Sequence, residues 1–355
     1  MTQSITTAPR MRIGPQRAAL RAQKLLLLIS AILILAAGAY WFISALISQP
    51  ALFLSSAVAG LQNGVLFALI ALGYTLVYGI IELINFAHGD LFMIGTLVSG
   101  FFITSVFGVT VSGASVLGWL FLIVALVGCM AFCGGINVAI EFVAYRRLRH
   151  APKLAPLITA VGISFILLFF GLLWNGSAPT SDWRSVLPQG AWDLGGVRIE
   201  HKLFVVLAVA VPLLVLMTWI VTKTRVGKAM RAVAQDQDAA RLMGINVNRI
   251  ISFTFAMGGA LAGAAGLMYQ QVIGTTRYDL GFQFGLIAFT AAVLGGIGNL
   301  TGAVLGGVLI GLIKGLNDGV GLGQEWSATV VFAILILLMV FRPTGLLGQS
   351  LGEKV

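Results

Sequence analysis

Residues 25–81 read LLLLISAILILAAGAYWFISALISQPALFLSSAVAGLQNGVLFALIALGYTLVYGII, 57 positions between Lys24 and Glu82 without one charged side chain. A single helix of about 20 apolar residues already spans a hydrocarbon core, so a run of this length must fold back on itself. Six further charge-free runs follow before Arg342. The chain is 59% hydrophobic and only 10% charged, with 44 glycines, whereas a soluble domain carries about 25% charged residues. A membrane β-barrel is excluded as well, because its strands alternate over segments of about ten residues instead of running continuously apolar. The fold class is therefore all-α: a polytopic bundle.

Run lengths give ten spans, with eight the alternative. They are Leu25–Ile47, Ala51–Ile81, Leu91–Phe107, Leu117–Ile140, Pro156–Trp174, Leu203–Val221 and Ile250–Tyr269, two short spans within Leu280–Ile313, and Trp326–Phe341. Gly298, Asn299 and Gly302 offer the turn that splits the Leu280–Ile313 run. Trp119, Trp174, Trp219 and Trp326 fall near span ends, where amphipathic rings favour the headgroup layer. Lys and Arg collect before the first span, between Arg146 and Lys153, and between Lys223 and Arg249; the positive-inside tendency places these segments and both termini in the cytoplasm. The neutral loop 175–202 is then external. A basic extension, 1–24, with Arg17, Arg21 and Lys24 at helical spacing, precedes a single transmembrane domain, 25–348, and a tail, 349–355. The first apolar run is too long for a cleaved signal.

Ion-driven carriers need ionisable groups within their spans, yet Glu82, His88, Asp90 and Glu141 all read as span edges. There is no phosphate-cradling Gly-rich loop either: Gly227-Lys228 is followed by Ala229. Any ATP that drives this chain is bound by another subunit. Attention falls on the break Lys223–Arg249, which packs six basic and two acidic residues into 27 positions. Asp236 can cap a short helix with Asp238 in its first turn, Arg241 in its last and Gly244 at a left-handed stop. Asp238, Ala239, Ala240 and Gly244 also match the acid-Ala-Ala-x-x-x-Gly core that permeases of ATP-binding cassette importers present to their ATPases. The longer form of that motif, with isoleucine and proline further on, is absent, and a capped surface helix explains the same residues.

GYTLVYGIIELINFAHGDLFMIG, Gly73–Gly95, closely resembles the inner-membrane permeases of branched-chain amino acid importers, in particular their shorter H-type subunit. So do IEFVAYRRLR from Ile140, LAPLITAVGIS from Leu154, VGKAMRAVAQDQDAARLMGIN from Val226, FTAAVLGGIGNLTGAVLGG from Phe289 and RPTGLLG from Arg342. Arg147 stands where that family often has proline, and the first 24 residues extend beyond its usual start. The resemblance implies a non-enzymatic transport subunit of a bacterial inner-membrane importer. Its partners would be two ATPase subunits holding ATP and magnesium, a second permease subunit, with a heterodimer favoured over a homodimer, and an extracytoplasmic binding protein. No cofactor on this chain and no nucleic acid is implied. Relatives carry branched-chain amino acids most often, and close cousins carry urea or short amides. A stand-alone facilitator for a small polar solute would share the sparse charge.

Candidate pathway groups are Asn85, His88 and Asp90, a polar knot between two spans, with Thr75 and Tyr78 in the span before; a hydrogen-bonded elbow fixing two helices accounts for the knot equally well. Gly295, Gly298, Gly302 and Gly306 form a small-residue stripe for close packing, either static or a seam that slides during transport. Cys129 and Cys133, one turn apart, read as small buried side chains. His150 and His201 lie in polar segments far from His88, so no metal or acid-base cluster is expected. Trp183 and Trp192 mark the outer loop as the docking surface for the binding protein.

Overall fold

The computed structural model describes residues 38, 40–81, 85–108, 115–149, 151–152, 154–178, 185–342 and 344–348. The basic extension, most of the expected first span, Glu82, Trp183 and the tail 349–355 lie outside the described residues. Residues 40–48 are helical and belong to an N-terminal unit; everything from Ala51 onward forms a second unit.

That second unit is built from apolar helices: α1 (Pro50–Ile81), α2 (Ala87–Val106), α3 (Val116–Leu148), α4 (Leu154–Asn175), α5 (His201–Lys223), α8 (Val247–Ile273), α10 (Leu300–Val320) and α11 (Gln324–Phe341), each long enough to cross a bilayer. A shorter apolar helix, α9 (Leu280–Gly295), stands between α8 and α10. Two short helices, α6 (Arg225–Gln235) and α7 (Gln237–Leu242), occupy the basic break, and one hairpin, β1 (Ala191–Leu194) with β2 (Val197–Glu200), lies in the 175–202 segment. These helices match expected spans two to ten. The Leu280–Ile313 run does divide, at Gly296 to Asn299 and not at Gly302, which sits inside α10 and donates its N–H to the Asn299 cap at 3.0 Å.

Helices α1, α2 and α8 are the most buried spans and form the core. Four α8 glycines let it approach three neighbours at backbone distance: Gly258 faces Gly73 of α1, Gly259 and Gly263 face Cys133 and Cys129 of α3, and Gly266 faces Phe92 of α2. A methyl group on Gly266 would stand 2.6 Å from the Phe92 carbonyl oxygen, so only glycine fits. Helix α10 runs antiparallel to α1, with Gly307, Gly311 and Gly315 against Ala68, Gly64 and Gly60. By contrast α4 and α11 bury only a few residues each. Their exposed apolar faces suit lipid or another apolar surface, not water.

The expectation that His88 and Asp90 sit at a span edge holds, since both lie in the first turn of α2, but that for Glu141 is corrected, because it stands inside α3; all three are almost completely buried. Helix α3 continues past Ile140 through a π turn, Glu141–Tyr145, to Leu148, and α2 starts at Ala87, before the first wholly apolar residues. Charge-free runs mark apolar chain, whether it is buried or open, and a buried ion pair can lie on a helix that continues beyond them.

Candidate functional site

The basic break folds as three helix starts in series, each with its own side-chain cap. Thr224 Oγ1 accepts from Gly227 N at 3.1 Å at the start of α6, Asp236 Oδ1 accepts from Asp238 N and Ala239 N at 2.8 and 3.0 Å at the start of α7, and Asn246 Oδ1 accepts from Arg249 N at 3.1 Å at the start of α8. Each satisfies donors that a helix N-terminus otherwise leaves open. At the other end of α7, Gly244 takes φ +79°, its N–H reaches Arg241 O at 3.0 Å and Ile245 N–H reaches Ala240 O at 3.0 Å. That is a Schellman stop, which favours a residue without Cβ. Arg241 pairs with Asp238 across the helix at 2.9 Å. Helix α7 buries Ala240, exposes Ala239, and displays Leu242 and Met243 at 89% and 81% exposure. Two apolar side chains thus stand open on a segment closed at both ends.

Helix α6 packs this loop onto α5 and α8 by burying Gly227, Met230 and Val233, and the Arg231 guanidinium donates to Val221 O on α5. The loop is further tied by a cluster that the sequence reading missed. Glu141, fully buried, accepts from Arg146 at 2.8 and 3.2 Å, from Ser252 Oγ at 2.7 Å, and from Arg149. Arg149 also donates to Asn248 Oδ1, on the second residue of α8, at 2.6 Å. The π turn explains the pairing: its hydrogen bonds reach five residues along, which brings Arg146 over Glu141. Burial draws the Arg149 guanidinium below its ordinary pKa while the Glu141 charge pulls it back up. The end of α3 is thereby bolted to the start of α8, directly after α7.

The polar knot does not form as one group. Asn85 Oδ1 accepts from Tyr145 Oη of α3 at 2.9 Å; Asp90 Oδ2 accepts from Ser164 Oγ of α4; and His88 stands edge-on to the Tyr74 ring, 4.6 Å between centroids, against Gly73. Three neighbouring residues thus reach three different helices. Asp90 Oδ1 and Thr75 Oγ1 are buried and have no hydrogen-bond partner among the described residues. Thr75 and Tyr78 line a narrow crevice of about 10 Å³ with Tyr74, Phe289, Ala292 and Ile297. Of the glycine stripe, Gly295 meets Gly302 and Gly306 meets Ala291, which locks α9 to α10. Gly298 is not part of that seam: it supplies φ +90° in the turn, and nothing lies within 4 Å of where its Cβ would be.

At the far end of α8, Ser99 Oγ and Gln271 Nε2 both donate to Gln270 Oε1, at 3.1 and 2.5 Å, while Val186 N donates to Gln271 Oε1 at 2.9 Å and Lys202 Nζ to Val272 O at 3.0 Å. Beyond it, Arg277 pairs with Asp279. Adjacent glutamines at the end of an apolar run were the only sequence signal for the first cluster. Metal-ligating groups of three or more His, Cys, Asp or Glu are absent among the described residues.

A profile described as "Branched-chain amino acid transport system / permease component" matches residues 56–339. The chain is similar to the high-affinity branched-chain amino acid transport system permease protein LivH of Escherichia coli (strain K12), 38% identical over 308 residues, covering 85% of this chain and 98% of LivH. It is equally similar, at 38% over 307 residues with the same coverage, to the permease protein BraD of the same kind of system in Pseudomonas aeruginosa. The autoinducer 2 import system permease protein LsrD of Escherichia coli O9:H4 (strain HS) is 26% identical over 231 residues, 63% of this chain and 67% of LsrD.

Proposed function

We propose, from the premise that this chain belongs to the family of permease components of branched-chain amino acid transport systems, that it forms half of the membrane pathway of an importer for branched-chain amino acids. It is a multi-pass transport subunit of the inner membrane, not an enzyme, and it works with ATPase and substrate-binding components. Its stoichiometry in this reading is one of two permeases, paired as a heterodimer, above two ATPase subunits that hold ATP and magnesium. The α6–α7 loop faces the cytoplasm because basic residues collect there, and α7 docks on an ATPase through Leu242 and Met243.

The observation that carries the reading is α7 itself. It is capped at both ends, displays two apolar side chains, and is anchored through α6 to α5 and, with the Glu141 cluster close behind, to α8. A segment held this firmly can pass displacement to two transmembrane helices; a loose connector cannot. Branched-chain cargo is favoured by the identity to LivH and BraD, which exceeds that to the autoinducer permease. The nearly uncharged helix interiors also suit a zwitterion with an apolar side chain.

The test is reconstitution of the chain with its ATPases, partner permease and binding protein in vesicles. Labelled leucine should accumulate only with internal ATP, and urea and acetamide should not. Accumulation of urea or acetamide in place of leucine would redirect the substrate. Uphill uptake by the chain alone would refute the ATP-driven reading.

A further inference from the structure

The chain does not stay at one surface between α8 and α9. After Ile273 it turns at Gly274, φ +76°, and Thr276 Oγ1 meets Thr96 Oγ1 at 2.5 Å. Thr96 is the tenth residue of α2, a helix of 20 that begins at Ala87. Five residues later Gly281 abuts Asp90, whose carboxylate is bonded to Ser164, the eleventh of the 22 residues of α4. Between those two levels, Gly95 O and Leu91 O of α2 face Cys129 and Cys133 of α3 at 3.9 and 3.5 Å. Thr276 and the adjoining Arg277 therefore stand beside the middle of α2, and the segment runs on to Asp90 in the first turn of α2, level with the middle of α4. Helix α9 begins there, in the interior, and is only 16 residues long.

An ion pair stands at that depth. Arg277 Nε donates to Asp279 Oδ1 at 2.5 Å and Nη2 to Oδ2, and the two side chains remain 48% and 35% exposed in the single chain. Open charges beside the middle of apolar helices are untenable against lipid and mark a wet or polar surface. The start of α9 adds to the site, because Asp279 at its N-cap makes no side-chain cap and turns to Arg277 instead. A helix N-terminus inside the bundle favours a negative ligand group. Asp90 Oδ1, 1% exposed as a residue and without a hydrogen-bond partner among the described residues, abuts the first turn of α9 at Gly281.

We propose that Arg277 and Asp279 line the aqueous pathway and recognise the two charged groups of an α-amino acid zwitterion, Arg277 taking the carboxylate and Asp279 the ammonium. The choice of zwitterion rests on the branched-chain amino acid reading above. When empty, the two side chains neutralise one another. When cargo passes, one pair of opposite charges is exchanged for two, so no net charge is left in a poorly polarisable setting. The α9 N-terminus supports the carboxylate side.

The experiment uses the complete importer in vesicles. Arg277→Cys is compared with Phe165→Cys, which neighbours Ser164 at the same depth on an exposed apolar face of α4; the native Cys129 and Cys133 are buried. A small membrane-impermeant cationic thiol reagent should modify Arg277→Cys and spare Phe165→Cys. Leucine added to the complex already carrying its binding protein should slow that modification. Should Arg277→Cys fail to assemble, Tyr278→Cys gives the same contrast. Separately, Arg277→Gln and Asp279→Asn should each lower leucine uptake about tenfold or more at equal amounts of assembled complex. Equal labelling of the two cysteine variants, or labelling that leucine does not affect, overturns the proposal even if the native importer carries leucine. A native importer that carries a non-zwitterionic solute instead overturns the cargo assignment, while the labelling contrast still decides whether the pair faces water.

Discussion

Two Arg–Asp pairs of similar spacing, Asp238 with Arg241 and Arg277 with Asp279, sit in opposite settings. The first lies on α7, with side chains 86% and 45% exposed, on a loop rich in caps and charges. Exposed helical pairs of this kind contribute about 0.3–0.5 kcal/mol. The second, at 48% and 35% in the single chain, has a less open aspartate and stands level with the middle of α2 and α4. Position relative to the apolar belt, not the chemistry of the pair, decides what each can do. A pair on the loop is a surface detail of a docking helix, whereas a pair at mid-depth needs water or cargo beside it.

The sharpest way to test that reading is a third ion cluster buried between the two extremes. Glu141→Ala strands Arg149, whose side chain is 9% exposed, together with Arg146. Removing one member of a buried pair costs about 3–5 kcal/mol, and the complex should lose that much in detergent thermal unfolding. A loss below about 1 kcal/mol would class the cluster with the surface pair. Next in size is Gly311→Leu, which drives a side chain into Gly64 of α1. Overpacking of about 1–3 kcal/mol should appear as poor assembly. Gly302→Leu separates the two readings of the α9–α10 seam: poor assembly marks static packing, and assembled but inactive complexes mark a moving one.

Smaller effects belong to the loop. Asp236→Ala removes the acceptor of two backbone N–H groups and should cost about 1 kcal/mol by the same unfolding assay. Smallest of all, Asp238→Ala should change stability by no more than about 0.5 kcal/mol. If Asp238→Ala destabilises more than Asp236→Ala, the cap is not what holds α7.

Those magnitudes track what the sequence made legible. Asp236, Arg241 and Gly244 could be placed because every bond that fixes α7 lies within five residues along the chain. The turn at Gly298 and Asn299 was readable for the same reason, since a left-handed glycine and an Asn cap are local signals. Arg277 and Asp279 fell between the expected spans Ile250–Tyr269 and Leu280–Ile313, so they read as ordinary loop charges. What sets their depth is Thr276 against Thr96, 180 residues apart, a contact that no local pattern encodes. Glu141 was taken for a span edge because its arginine partners lie across a π turn, which follows no regular helical spacing. Asn85, His88 and Asp90 looked like one knot because they are close in sequence, yet each side chain reaches a different helix. The distribution of apolar runs carried the fold class, and the membrane-depth partners of charged groups emerged only from packing.

The central claim is that α7 relays ATP-driven movement from separate ATPases into the bundle. Its most direct test is simultaneous measurement of leucine uptake and ATP hydrolysis by the reconstituted importer carrying Leu242→Asp with Met243→Asp, which leaves the caps of α7 in place. Uptake lost from an inserted, folded permease, together with loss of cargo-stimulated hydrolysis, is the predicted result. Uptake and stimulated hydrolysis at the native ratio would contradict it.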